Sequence, residues 1–228
     1  MYLSRLLLNN NSRAVLRDLA DSQELHRTLM SVFPQADKPG EGARERFGVL
    51  HRLDLDRRRG RLVLYVQSLE NPDWSRLPPD YLLFAPGLEN PATKSVAGAY
   101  QALKPGAVLS FRLKANPTRK IDTKTGPDGR RRHGRRAELV QEEDQVAWLK
   151  RKGEQGGFQV LAVRVAGPAK ERGRRQGRGS GALLTLAGVL FEGHLRITDP
   201  EQFLNHSLLR GIGPGKAYGL GLLSLAPP

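Results

Sequence analysis

Cysteine is missing altogether from the 228 residues. Neither a disulfide scaffold nor a thiolate metal site can therefore be built. Histidine is scarce and scattered, at positions 26, 51, 133, 194 and 206, with no HExxH pattern; the usual spacing signature of a zinc site is lacking. The acidic residues form no paired-carboxylate pattern with supporting context, which argues against a two-metal nuclease. No metal or other cofactor is expected. Aromatics make up only 6% of the chain, and no aromatic pair of the RNP type stands on a strand-like run. Reading a single strand base by base is thereby disfavoured, and recognition of a duplex or hairpin through backbone and shape is favoured. Apolar runs are short as well: none reaches about 18 residues, the length a membrane-spanning helix needs. The start, MYLSRLLLNNN, lacks the apolar core of a signal peptide. A cytoplasmic protein with no membrane partner is the expectation.

What the chain has in excess is positive charge, +14 in all. Residues 1–90 carry 13 Lys and Arg against 12 Asp and Glu, whereas residues 91–228 carry 24 against 11. Charge placed so unevenly points to a polyanion held mainly by the second half, and to nucleic acid in particular. Charge alone does not separate RNA from B-DNA.

The apolar pattern predicts an α+β chain. Tyr2 to Leu8 reads as a strand, SRAVLRDLA as one or two helical turns, and DSQELHRTLMSVF as a helix with Leu25, Leu29 and Val32 on its inward stripe. Asp21 is its expected cap, with Glu24 three residues on completing a capping box. FGVLHRLD and RLVLYVQSL read as a hairpin with arginines at the turn, Asp73–Leu77 as a short helical piece, and YLLF as a fourth strand. The second half repeats the theme: VLSFRLK a strand, EEDQVAWLKRKGEQ a helix, FQVLAVRVA and ALLTLAGVLFEGHLRI strands, DPEQFLNHSLLR a helix capped by Asp199, and a last strand over 220–225. Two tandem βαββαβ units follow, 1–90 and 107–228, joined by a linker over 91–106.

Three groups of residues could carry chemistry. His26 lies one turn into the capped helix, where a phosphate is favoured. An imidazole so placed can pass protons during phosphodiester cleavage; it can equally be a partly buried histidine bonded to backbone. The second group is basic. Arg112, Lys114, Arg119 and Lys120 extend from a strand; Arg130, Arg131, Arg132, Arg135 and Arg136 form a glycine-linked cluster; Lys170, Arg172, Arg174, Arg175 and Arg178 form a basic loop between strands. Guanidinium groups match phosphate geometry in bidentate fashion. The third group is GIGPGKAYGLG, with Gly211, Gly213, Gly215, Gly219 and Gly221 around Lys216. So much bare backbone either lets an anion or another chain segment approach closely or makes a strained entry to an edge strand. The run lacks the GK[ST] ending and the strand-to-helix setting of a P-loop.

MYLSRLLLN, LHRTLMSVFP, FRLKANPTRK, VLFEGHLRITDP and GIGPGKAYGLGLLSLAP, in that order, resemble the CasE family, the CRISPR-associated endoribonuclease subunit of the Cascade complex. The resemblance covers essentially the whole chain. It implies a pair of ferredoxin-like, RRM-like domains that bind the CRISPR repeat hairpin in precursor crRNA. It further implies metal-independent cleavage leaving a 2′,3′-cyclic phosphate and a 5′-hydroxyl, with mature crRNA retained beside other Cascade subunits. The family's catalytic histidine falls on His26. A tyrosine that assists it in some members corresponds to Gln23, which can donate a hydrogen bond to phosphate but cannot exchange a proton. Lys216 is a candidate for charge stabilisation. A subunit that holds the crRNA hairpin without cutting it is the alternative.

Overall fold

The computed structural model describes residues 1–34, 46–121, 135–175 and 182–228, and at 135, 167–175 and 182–187 only their backbone. In the first half, β1 (Tyr2–Leu8), β2 (Leu50–Asp56), β3 (Arg61–Ser68) and β4 (Ala92–Ser95) form an antiparallel sheet in the order β2-β3-β1-β4. Helices α1 (Arg13–Ala20) and α2 (Ser22–Met30) pack through Val15, Leu25 and Leu29 on the strand residues Leu6, Leu8, Leu64 and Val66. The helical spacing of the apolar residues thus selects the face that is buried. Beneath α1, Asp18 is buried and accepts from the Tyr81 hydroxyl at 2.8 Å and from Arg17. Burial, reinforced by the Asp18 carboxylate, pushes the Tyr81 phenol well above its ordinary range.

A short helix α3 (Ala97–Gln101) leads to the second half. There β5 (Val108–Ala115), β8 (Phe158–Arg175), β9 (Ala182–Ile197) and β10 (Leu223–Ala226) form a second antiparallel sheet in the order β10-β5-β9-β8. Helix α4 (Glu142–Gln155) covers it with Trp148 and Leu149. Between β5 and α4, β6 (Thr118–Ile121) pairs with β7 (Arg135–Glu138) as a separate two-stranded ribbon.

Three expectations change. YLLF is not the fourth strand: Leu82 makes a single bridge to Leu8, and β4 takes the place beside β1, from Tyr2–Ser95 to Arg5–Ala92. Pro86 and Gly87 interrupt the first run, and the Asn90 side chain occupies the Leu7 backbone instead, accepting from its N–H and donating to its carbonyl. The stretch read as a basic loop is strand over Lys170–Arg175, paired with Ala182–Ala187; ladder bonds to an apolar partner strand hold a sequence whose glycines and charges disguise its period. Arg178, like Arg130, Arg131 and Arg132, lies outside the described residues. Finally, the helix after Asp199 begins as one α-turn, α5 (Pro200–Gln202), and continues as a π-segment, Phe203–Leu208, with the Leu209 N–H on the Leu204 carbonyl at 2.9 Å. Asp199 caps it as expected, accepting from the Gln202 N–H.

The two sheets meet edge to edge through a buried arginine on the edge strand β2. Arg52 is 2% exposed; its Nη1 donates to the Ser224 hydroxyl at 2.8 Å and to the Arg112 and Leu222 carbonyls at 3.2 and 3.4 Å. Its Nε pairs with Asp54 at 3.0 Å, so the buried charge is met on all sides. Behind it, Gln67 donates to the Leu208 carbonyl at 2.7 Å.

Candidate active site and basic cleft

Helix α2 begins where the sequence predicts. Asp21 is extended and accepts from the Gln23 N–H at 2.9 Å. The reciprocal half of a capping box is replaced: the Asp21 N–H bonds the Arg17 carbonyl at 3.2 Å, and the Glu24 carboxylate pairs with Arg27 and Arg17. Freed from capping, Glu24 neutralises cations on the outer side of the helix.

His26 is half-buried one turn into α2. Its imidazole lies close to parallel with that of His51, at 20°, with ring centroids 6.5 Å apart. His51 stands on β2 and is buried. Helix α2 also packs against β8 and against the single 3₁₀ turn Lys216–Tyr218 inside the glycine-rich loop. Two segments of the second half therefore close on the helix that bears His26.

All five glycines of that loop have positive φ. At Gly211 and Gly219 the atoms nearest an added Cβ include residues of β2. A Cβ on Gly211 would lie 2.9 Å from Leu50 Cδ1, and one on Gly219 would lie 3.4 Å from His51 Nε2. Leu50 and His51 are neighbours on a strand and point to opposite faces. The loop thus wraps the free edge of the first sheet, touching it on both sides, and its bare backbone is what permits the embrace. Gly215 and Gly219, both left-handed, bound the 3₁₀ turn that carries Lys216.

The same loop forms one wall of a cleft of about 910 Å³. The β6–β7 ribbon supplies Arg119, Lys120 and Arg136, α4 supplies Arg151 and Lys152, and Arg210 and Lys216 complete the lining. Among the described residues that line it there is no Asp or Glu. Cations converging in a concave surface raise the local concentration of an anionic ligand.

Several candidates meet here and others do not. Arg119, Lys120, Arg136, Lys216, Gly211 and Gly213 line the cleft. Arg112 is placed in an ion network instead, 3.4 Å from Asp54 and 3.0 Å from Glu192, which also pairs with Arg164. Lys114 contributes its carbonyl to the loop, accepting from the Gly221 N–H at 2.7 Å. Gln23 stands one turn before His26, with its side-chain oxygen buried. Lys170, Arg172, Arg174 and Arg175 lie on the paired β8–β9 hairpin, opposite Ala187, Thr185, Leu183 and Ala182; Arg135 opens β7. Sequence reasoning missed Arg151 and Lys152, whose KRK run was read only as part of a helix, and Arg210, which belongs to no run of charge; it also missed His51. The one signal for His51 was a polar residue at an inward position between Val49 and Leu53. Among the described residues no three of His, Asp and Glu converge as a metal site would require.

A family described as "CRISPR associated protein" matches residues 1–227. The chain belongs to that family. Within it, the chain is 41% identical over 237 residues to the CRISPR-associated endoribonuclease Cse3 of Thermus thermophilus, covering both chains in full. It is 30% identical over 235 residues, again in full, to the CRISPR system Cascade subunit CasE of Escherichia coli K12. In three dimensions it resembles Thermus thermophilus Cse3 bound to an RNA representing a pre-cleavage complex, with a TM-score of 0.77 at 39% identity over 99% of this chain and 98% of that one. In this CRISPR-associated protein the half-buried histidine and the cation-lined cleft thus sit on a fold known in an RNA-bound form.

Proposed function

We propose that this protein is an endoribonuclease that binds the repeat hairpin of precursor crRNA, cuts it, and keeps the product as a subunit of a Cascade complex. The observation that carries the reading is that the Lys216 turn packs against the helix bearing His26 and also lines the basic cleft, although His26 itself is not among the residues that line it. The 41% identity with the Cse3 endoribonuclease over the full chain supports the same activity.

The chemistry is an internal transesterification. The 2′-oxygen upstream of the cut loses its proton and attacks phosphorus; the bond to the 5′-oxygen breaks, and that oxygen gains a proton. The products are a 2′,3′-cyclic phosphate and a 5′-hydroxyl, with atoms and charge conserved and no redox change. His26 serves one of the two proton transfers. Cations of the cleft, Lys216 among them, hold the flanking phosphates and offset the charge that grows on the transferring group. Gln23 orients the phosphate by hydrogen bonding. The step uses no metal ion.

The strand orders β2-β3-β1-β4 and β10-β5-β9-β8 are one order repeated, fourth-first-third-second within each half. This supports two tandem ferredoxin-like domains, the first running through β4 (Ala92–Ser95) and the second beginning at β5 (Val108–Ala115), a shorter connection than 91–106. The deciding experiment incubates the purified protein with its own repeat RNA in EDTA. Cleavage to a cyclic-phosphate product supports the reading. Tight binding with intact RNA supports the non-cleaving alternative, for which the absence of a tyrosine at Gln23 is the motivating observation.

A further inference from the structure

We infer that His51 is a positioning residue for His26, transmitting the seating of the glycine loop to the imidazole that moves the proton. The inference rests on the endoribonuclease reading and adds a residue to it.

The argument starts from the strand. Val49, His51 and Leu53 alternate onto the face of β2 that the helices cover, and Val49 and His51 are both fully buried there. Packing alone is served at such a position by another aliphatic residue, because burying an imidazole carries a desolvation cost that a leucine avoids. Besides its polar nitrogens, the imidazole adds a flat, rigid face. That face lies within 20° of parallel to the His26 ring at a centroid distance of 6.5 Å, inside the range of interacting ring pairs. The loop also lies against this ring: a Cβ on Gly219 would be 3.4 Å from His51 Nε2. Loop, His51 and His26 therefore stand in series, from the second half of the chain to α2 in the first. A shift of the loop displaces the His51 ring and, through it, changes the tilt of His26 relative to the phosphate. A misplacement of about 1 Å in a reacting group can cost roughly 10²-fold in rate.

Two substitutions separate this role from mere packing. His51→Leu preserves apolar bulk and removes the flat face; His51→Phe preserves the face and removes the ring nitrogens. Thermal unfolding first checks that each variant is folded. Affinity is read with a repeat hairpin carrying a 2′-deoxy sugar at the cut, and single-turnover cleavage is read at saturating RNA. The expected result is affinity within about twofold of wild type for both. Cleavage should be slowed about 10-fold or more in His51→Leu and restored to within about threefold in His51→Phe. Wild-type cleavage by His51→Leu, a parallel loss of affinity and rate, or a His51→Phe variant as slow as His51→Leu would each overturn the inference. A second readout needs no catalysis. In the RNA-free protein, ¹³C relaxation of the His26 ring should show lower order in His51→Leu and wild-type order in His51→Phe. If wild-type protein leaves RNA intact, the endoribonuclease reading fails while this relaxation result still decides whether His51 holds His26; unchanged order in His51→Leu refutes it.

Discussion

His26 was legible as a candidate because its helix announces itself: Asp21 caps it, and Leu25 and Leu29 fix its inward face. That leaves the next residue at the border between core and solvent, where a group can be oriented by packing and still reach a substrate. His26→Ala should leave hairpin affinity close to wild type and slow single-turnover cleavage in EDTA by about 10² to 10⁴, the usual range for losing a general acid or base. A mutant that cuts at the wild-type rate would make His26 structural. His51 was not legible in the same way. It sits 25 positions further on in a different element, and only the pairing of β2 with β3, which fixes the register His51–Val66, turns it toward α2. Tyr81 shows a third kind of residue, one read as strand and found to be a buried partner of Asp18. Its phenol is raised above the ordinary value, so the stability it contributes is complete below pH of about 10 and is lost as pH climbs from there. Tyr81→Phe should cost about 1–3 kcal/mol near neutrality, because Asp18 loses a buried partner. It should also remove this alkaline loss. Urea midpoints of both proteins at pH 8 and pH 11 test the pair of claims.

At the scale of elements, the capped helices and alternating strands were plain, because one period dominates each of them. Where two signals competed, the sequence was ambiguous. YLLF has the composition of a strand, yet the backbone of β1 beyond Arg5 is satisfied by Asn90 and Leu83, and the strand position falls to the polar ATKS. The π-segment after Gln202 keeps a helical apolar pattern and so reads as an ordinary helix. The glycine loop was visible as a special segment, but its task was not: the five positive φ angles are a local property, whereas the wrap around β2 is a tertiary one. Gly219→Val should be folded and yet poor in cleavage, because the left-handed backbone resists a branched side chain and the γ-methyls extend beyond a Cβ that is already in contact with His51. The same substitution at Gly60, at the tip of the β2–β3 hairpin with nothing within 4 Å, meets the backbone strain without the contact. Equal cleavage defects in the two variants would show that backbone strain alone, and not the loop's seat on β2, is responsible.

Over the whole molecule, the excess of charge in residues 91–228 was open to inspection, but its convergence was not. The cleft draws cations from the β6–β7 ribbon, α4, the chain after the π-segment and the glycine loop, which are far apart in sequence. Replacing Arg151 and Lys152 together by Ala should weaken hairpin binding and make the slope of log affinity against log salt shallower by about 1 to 2. Arg58 and Arg59, at the turn of the β2–β3 hairpin where Asp56 already bonds their backbone and pairs with Arg59, should matter little in the same titration. The double change Arg174→Ala and Arg175→Ala asks whether the β8–β9 arm shares the load. An unchanged slope in the cleft variant would move the RNA elsewhere.

Arg52 and Leu222, bonded across the seam, are 170 positions apart in the chain, and the wall that faces His26 comes from the same late segment. At a synthesis rate of about 5–20 residues per second, His26 leaves the ribosome roughly ten to forty seconds before the glycine loop can reach it. For that interval the helix and its histidine exist without the surface that completes them, so a growing chain is a silent one. Ribosome-bound chains halted before Gly211 emerges should leave repeat RNA intact, while chains released in full should cut it. On this prediction the order of the segments sets the timing, and activity begins only once both halves have been made.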